Sequence, residues 1–349
     1  MVKVKTVATE TPEYFQQTEE TIPLVKNWLK GEDERFIRKA IKIFEGAQVN
    51  KRYAIMPPKD VFTKTSFEDK NRLYQNAAKK YGQSVLEKAL SQADWEAQSL
   101  DYIITVSCTG IMIPSLDAYL INACGLKQNI MRLPITEMGC VGGVSAMIYA
   151  HQFLKSNPDK RAAIIAFESP TATMQQDDKS MVNIVSSAIF GDGAACVLMS
   201  SDEQSDGVEI IADQMYHFFD QTHMMGFDLT NAGLKMILDI SVPDKIEENF
   251  PLIINPFLEK NNLSIDDISH LIFHPGGKKI IQTVEDLFGK MGKNINHTKS
   301  VLRDYGNMSS ATVLFVLKAF MDEPQPENSY GMMLSFGPGF TAQNLLLKW

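Results

Sequence analysis

Cysteine is scarce in this 349-residue chain. Cys108, Cys124, Cys140 and Cys196 are all there are, and no two form a C-x-x-C pair or join histidines at metal-ligand spacing. That excludes a disulfide-stapled scaffold, gives no reason to expect a metal, and fits a reduced, cytoplasmic protein. Positive charge is also short: 34 Lys and Arg stand against 42 Asp and Glu, a formal charge of −8. The molecule as a whole has no field that would gather nucleic acid or an anionic membrane, so a polyanionic ligand must be met by a local cluster of bases. Long apolar runs are missing too. The longest candidate, 138–154, contains Gly139, Gly142, Gly143, His151 and Gln152 and barely reaches bilayer-spanning length, which argues against stable membrane insertion. Residues 1–14 lack the apolar core of a secretory signal. With 44% hydrophobic residues and no low-complexity tract, the chain is neither disordered nor collagen-like.

What is present is an ordered alternation of elements. The first hundred residues carry helical patterns on a charged background, over 19–29, 32–44 and 69–90, the last opened by Ser66 three residues ahead of Asp69. From residue 101 the texture changes. Apolar runs that read as strands (102–106, 131–135, 162–167, 194–199) alternate with helical stretches at 115–124 and 141–154, the pattern of an α/β protein with a buried sheet. The polar segment 200–206 divides the chain, and the same grammar follows. It offers strand 208–215, helix 243–260, strand 271–273, helices 278–291 and 309–321, and closing strands 331–336 and 341–347. The expected organisation is two similar α/β halves, 1–205 and 206–349, packed face to face with a site between them.

Three segments carry chemistry. In ITEMGCVGG (135–143) an apolar strand runs into Gly139-Cys140 and a helix opens, so Cys140 is expected at a helix N-terminus, where unpaired N–H groups and the helix dipole favour thiolate. Gly142 and Gly143 make room for a substrate carbonyl or a second backbone. A buried structural cysteine in a tight turn is the competing reading. In LIFHPGGKKII (271–281) His274 ends a strand ahead of a glycine turn, a setting where α/β folds place functional groups and where a structural histidine is equally at home. In RDYGNMSSA (303–311) Asn307 precedes an apolar helix and reads first as its N-cap. Each segment is ambiguous alone, but together they set Cys, His and Asn at the mouths of helices in both halves.

With their flanks these segments resemble the type III polyketide synthases, the chalcone-synthase-like branch of the thiolase superfamily, and most of all their bacterial members. The matching stretches are GCVGG at 139–143, FGDGAA at 190–195, HPGGKKI at 274–280, YGNMSSA at 305–311 and FGPGFT at 336–341, in family order over essentially the whole chain. The resemblance implies a thiolase fold with layers αβαβα, a homodimer, and a catalytic triad of Cys140, His274 and Asn307. It also implies acyl-CoA and malonyl-CoA as substrates and no cofactor. Cys140 would take the acyl group from CoA. His274 and Asn307 would donate hydrogen bonds to the malonyl thioester oxygen while CO₂ leaves, and the enolate would attack the acyl-cysteine.

Further positions carry over one at a time. Phe190 matches the phenylalanine that gates the tunnel from the CoA entrance. The second gate is phenylalanine in plant members and Met236 here, which suits a longer aliphatic chain; with the bacterial character of the sequence this suggests a fatty-acyl starter and an alkylpyrone or alkylresorcinol product. Thr173, Ser309, Gly226 and Phe227 match positions that shape the cavity. Ile113, with Met112 beside it, falls where a dimer-crossing methionine usually lies. Lys39 and Lys42 occupy two positions of the family's basic cluster for the CoA phosphates, and Gly46 replaces the third. Glu137 stands three residues before the nucleophile, either tuning it or serving only as a surface carboxylate. Gly337, Pro338 and Gly339 read as scaffold, a bend between the last two strands. The alternatives are a ketoacyl synthase that takes its acyl groups from a carrier protein, and a non-catalytic acyl-CoA-binding protein of the same fold.

Overall fold

Strand alternation in the middle of the chain explains how the layers form. The structure is a computed structural model describing residues 1–289 and 293–349. Its first half contains β1 (Lys3–Glu10), the hairpin partners β2 (Tyr14–Gln17) and β3 (Lys51–Ala54), β4 (Tyr102–Val106), β5 (Met131–Ile135), β6 (Arg161–Glu168) and β7 (Gly193–Ser200). Among these run α1 (Thr18–Trp28), α2 (Glu34–Gly46), α3 (Pro58–Val61), α4 (Phe67–Ala93), α5 (Leu116–Ala123), α6 (Gly142–Ser156) and α7 (Met181–Ile189). In β6, Ala162, Ile164 and Ala166 face one core while Ala163, Ile165 and Phe167 face another; β7 splits in the same way. Period-two patterning with both sets apolar requires a sheet covered on both faces. The long helix α4, capped by the Ser66 side chain on the Asp69 N–H, packs on one of them.

The second half repeats the plan with β8 (Val208–His217), the hairpin β9 (Met225–Thr230) and β10 (Gly233–Leu238), β11 (Ile268–Phe273), β12 (Tyr330–Gly337) and β13 (Thr341–Lys348). Its helices are α8 (Val242–Lys260), α9 (Lys278–Gly289), α10 (Asn296–Tyr305) and α11 (Thr312–Met321). The helix expected over 278–291 is α9 as far as Gly289, and Met291 lies outside the described residues.

Nine strands form one sheet in the order β11-β12-β13-β8-β1-β7-β6-β4-β5, the two halves meeting where Lys3 and Val4 pair with Glu209 and Val208. Outward from this seam the pairing repeats: β1 and β8 lie antiparallel to β7 and β13, these antiparallel to β6 and β12, and these parallel to β4 and β11. In each half the helix before the parallel strand, α6 or α11, is apolar almost all round. Both helices lie in the central core with inward residues of both halves of the sheet, while α4 and α8–α9 cover the outer faces. The result is the expected αβαβα layering, held by three apolar cores.

Candidate active site

The repeated plan brings the starts of α6 and α11 together, and the site forms there. A single 3₁₀ turn, Gly139–Val141, leads into α6, and another, Ser309–Ala311, leads into α11; the two turns pack on each other. Gly139 takes a φ of +51° with Pro338 against its open face, where a Cβ would lie 2.6 Å from the proline ring. A Cβ on Gly143 would lie 2.3 Å from the Ser310 carbonyl oxygen. It is a second backbone that needs this room, so the two helix starts approach as closely as they do only with glycine here. Ser335 donates to the Cys140 carbonyl oxygen at 2.7 Å, tying the turn to β12.

Cys140, His274 and Asn307 line one cavity of ≈ 750 Å³, open mouth included, together with Cys108, Phe190, Gly226, Phe227, Met236, Ser309 and Pro338. His274 extends β11, its N–H donating to Leu334 O at 3.0 Å, and its ring is buried. Neither ring nitrogen has a hydrogen-bond partner among the described residues. Burial lowers the imidazole pKa to about 3, so the ring is neutral, with one N–H to donate and one nitrogen to accept.

Asn307 is both cap and cavity wall. Its Oδ1 accepts from the Ser309 N–H at 2.8 Å and from the Thr312 hydroxyl at 3.3 Å, which fixes the amide orientation. Its Nδ2 makes a long 3.4 Å contact to Gly276 O. Asn307 also pairs by backbone with the FGDG segment, through Asn307 N to Ile189 O at 2.8 Å and Gly191 N to Asn307 O at 3.1 Å. Phe190 is positioned by the same bridge.

Cys140 is half-buried in the first of the two 3₁₀ turns. Burial pushes its thiol up to about 12, outweighing the lowering by the Ser309 and Asn307 hydrogen bonds. The Ser309 hydroxyl lies 3.7 Å from Cys140 Sγ and 3.4 Å from Cys108 Sγ.

Glu168, at the end of β6, lies behind the cavity wall and outside its lining, and Glu137 is an exposed surface residue. Glu168 is fully buried. Its Oε2 accepts from Thr109 Oγ1 at 2.7 Å and the Cys108 N–H at 3.1 Å, and its Oε1 from Ser310 Oγ at 2.5 Å. Burial raises its pKa and these bonds oppose the rise. Sequence reasoning passed over Glu168 and Cys108, although a carboxylate closing the apolar run of 162–167 was a visible sign. A charge at the end of a buried strand needs partners.

The remaining positions separate. Phe190 and Met236, with Pro170, line both this cavity and a second chamber of ≈ 650 Å³. That chamber is lined by apolar side chains including Phe15, Val61, Phe62 and Met174, and by Arg52 and seven polar residues, among them Gln16, Asn183 and Ser186. Thr173 belongs to the second chamber and is absent from the wall around Cys140. Gly337 closes β12, paired with Thr341, and Pro338, Gly339 and Phe340 make the tight turn into β13, Pro338 also lining the cavity. Ile113 is 91% exposed, on the outer surface before α5. An open groove is lined by Lys42, Gly46, Asp239, Gly277, Lys278 and Lys279 and shares Ile189, Leu238, Gly276 and Ile280 with the cavity around Cys140. Lys39 is exposed on α2, outside the groove's lining. No cluster of three or more metal-ligating side chains occurs among the described residues, and no helix there is long and apolar enough to cross a membrane.

Comparison with known proteins gives one consistent result. The profile of chalcone and stilbene synthases matches residues 4–203 with its N-terminal domain and 211–349 with its C-terminal domain. A putative chalcone synthase of Bacillus subtilis (strain 168) is 28% identical, covering 100% of this chain and 99% of the relative. The 1,3,6,8-tetrahydroxynaphthalene synthase of Streptomyces coelicolor is 30% identical, covering 97% of this chain and 90% of that protein. The crystal structure of the 1,3,6,8-tetrahydroxynaphthalene synthase from Streptomyces coelicolor A3(2), titled a bacterial type III polyketide synthase, matches with a TM-score of 0.93 at 28% identity over 99% of both chains.

Proposed function

This chain belongs to the chalcone and stilbene synthase family and is an acyltransferase of the type III polyketide synthase class with the thiolase fold; on that premise we propose that it condenses a fatty acyl-CoA starter with several malonyl-CoA units on Cys140. The reading is carried by one observation. Cys140, His274 and Asn307 line a cavity that shares Pro170, Phe190 and Met236 as a common wall with a second chamber whose lining surface is mainly apolar. An aliphatic chain is the occupant such a chamber favours, since each buried CH₂ is worth about 0.8 kcal/mol.

The chemistry follows from the state of each group. As the Cys140 sulfur attacks the starter's carbonyl carbon, the His274 imidazole takes the thiol proton. A C–S bond forms, the bond to CoA sulfur breaks, and the proton passes to the departing CoA thiolate. Malonyl-CoA then binds with its thioester oxygen toward the His274 N–H and Asn307 Nδ2. Cleavage of the bond to CO₂ sends its electron pair into an enolate held by these donors. The α-carbon attacks the acyl-cysteine, a C–C bond forms and the Cys140 thiolate is released. Decarboxylation supplies the carbanion, so the steps call on CoA thioesters and no cofactor. Repetition and ring closure give an alkylpyrone or alkylresorcinol. The two halves, 1–205 and 206–349, act as thiolase-like units, one bringing the nucleophile and the other the donors, within a cytoplasmic homodimer whose partner meets Ile113.

Intact-protein mass spectrometry with malonyl-CoA and short, long and aromatic acyl-CoAs tests this. The expected result is an acyl adduct that disappears in Cys140→Ala. Asn307→Ala should still load the acyl group but release no CO₂, and His274→Ala, which also lacks the base for loading, should lose both steps. Adduct formation with aromatic starters alone would overturn the fatty-acyl reading, and product from Cys140→Ala would overturn the covalent mechanism.

A further inference from the structure

The open groove that shares Ile189, Leu238, Gly276 and Ile280 with the cavity around Cys140 is where the phosphates of a CoA thioester would lie under the proposed function, and this inference rests on that reading. In a protein of net charge −8 such a groove needs bases of its own. The family's cluster is incomplete here: position 46, on the last turn of α2, is glycine. A cation is nevertheless present at that spot. The Lys278 ammonium nitrogen stands 3.9 Å from where a Cβ on Gly46 would lie, reaching over α2 from the start of α9 in the other half of the chain.

We propose that Lys278 takes the place of the missing base at position 46 and holds a phosphate of the CoA moiety from the opposite wall of the groove. Three features favour it. Lys278 and Lys279 both line the groove with Lys42, and none of the three has a carboxylate within 4.0 Å among the described residues, so their charges are not spent on ion pairs. The one acid in the lining, Asp239, is occupied by the N–H and hydroxyl of Ser241, at 2.8 and 2.6 Å. Lys278 also offsets the partial negative charge at the C-terminal end of α2, which would otherwise repel an anion at this point. Exchanging Gly46 for lysine is sterically open, because its Cβ would meet nothing nearer than Lys278 itself.

Calorimetry with free CoA and with pantetheine, which lacks the nucleotide phosphates, tests the assignment, alongside KM for malonyl-CoA and malonyl-N-acetylcysteamine. Lys278→Ala should weaken CoA binding and raise the KM for malonyl-CoA about tenfold, the loss of one charge-assisted phosphate contact. Pantetheine binding and the KM for malonyl-N-acetylcysteamine should stay at the wild-type value. The double variant Lys278→Ala with Gly46→Lys should recover most of the loss. CoA affinity within twofold of wild type in Lys278→Ala, or equal losses for the phosphate-free ligands, would overturn the role of Lys278 alone. A wild-type protein that binds no CoA would overturn the functional reading and this inference with it.

Discussion

At the start of α11 the Asn307 oxygen accepts from the Ser309 N–H, and the other end of the same amide is thereby turned to the cavity. Capping a helix and presenting a donor are thus one act, which is why the sequence alone could not choose between them. Glu168 shows the same economy. Its carboxylate gathers Thr109, Ser310 and the Cys108 N–H, so one buried side chain fixes the strand end, the second helix start and the loop carrying Cys108. Glu168→Ala should leave these donors buried without an acceptor and cost roughly 2–4 kcal/mol in urea-unfolding stability. A loss below about 0.5 kcal/mol would show that the network is dispensable.

Two elements, α6 and α11, decide where the chemistry can occur. Each is apolar on nearly every face because each is covered by both halves of the sheet, and each begins with a 3₁₀ turn whose first residue has a positive φ, +51° at Gly139 and +47° at Ser309. The chain places Cys140 at one start and Asn307 at the other, and close packing makes them neighbours. Gly143→Ala should drive a methyl group into the Ser310 carbonyl and cost about 3 kcal/mol. It should also lower acyl loading of Cys140 in a folded protein, read by mass spectrometry beside the thermal midpoint. Unaltered loading would mean that the helix starts tolerate separation.

Across the whole molecule, burying ionisable groups leaves a mark on pH stability. His274 is pulled from its ordinary value of 6.5 to about 3, so its neutral burial contributes fully above pH 6.5, and that contribution is lost as pH falls from there towards 3. Asp192 works in the opposite direction. Burial raises its carboxyl from 3.8 to about 6, against bonds from Thr171, the Ile55 N–H and Ser169, so its contribution is full below 3.8 and lost as pH rises through 6. His274→Gln cannot protonate and should gain stability relative to wild type as pH falls from 6.5 to 4.5, measured by urea unfolding at each pH; a constant difference would refute the assignment. The sequence by itself determined the alternating elements and their order, because apolar periods of two and 3.6 register burial locally. Strands 102–106 and 131–135 match β4 and β5 residue for residue. It also determined the residue types at the helix mouths. It did not disclose β1, whose lysines and threonines mask a strand that runs down the seam between the halves, nor the short hairpin β9–β10 that carries Met236 into the cavity wall. Only the tertiary structure decided that burial raises the Cys140 thiol, that Glu168 is buried against the loop of Cys108 while Glu137 is exposed, and that Lys278 stands over Gly46. Each depends on burial or on contact between residues distant in the chain, and neither is written in local pattern.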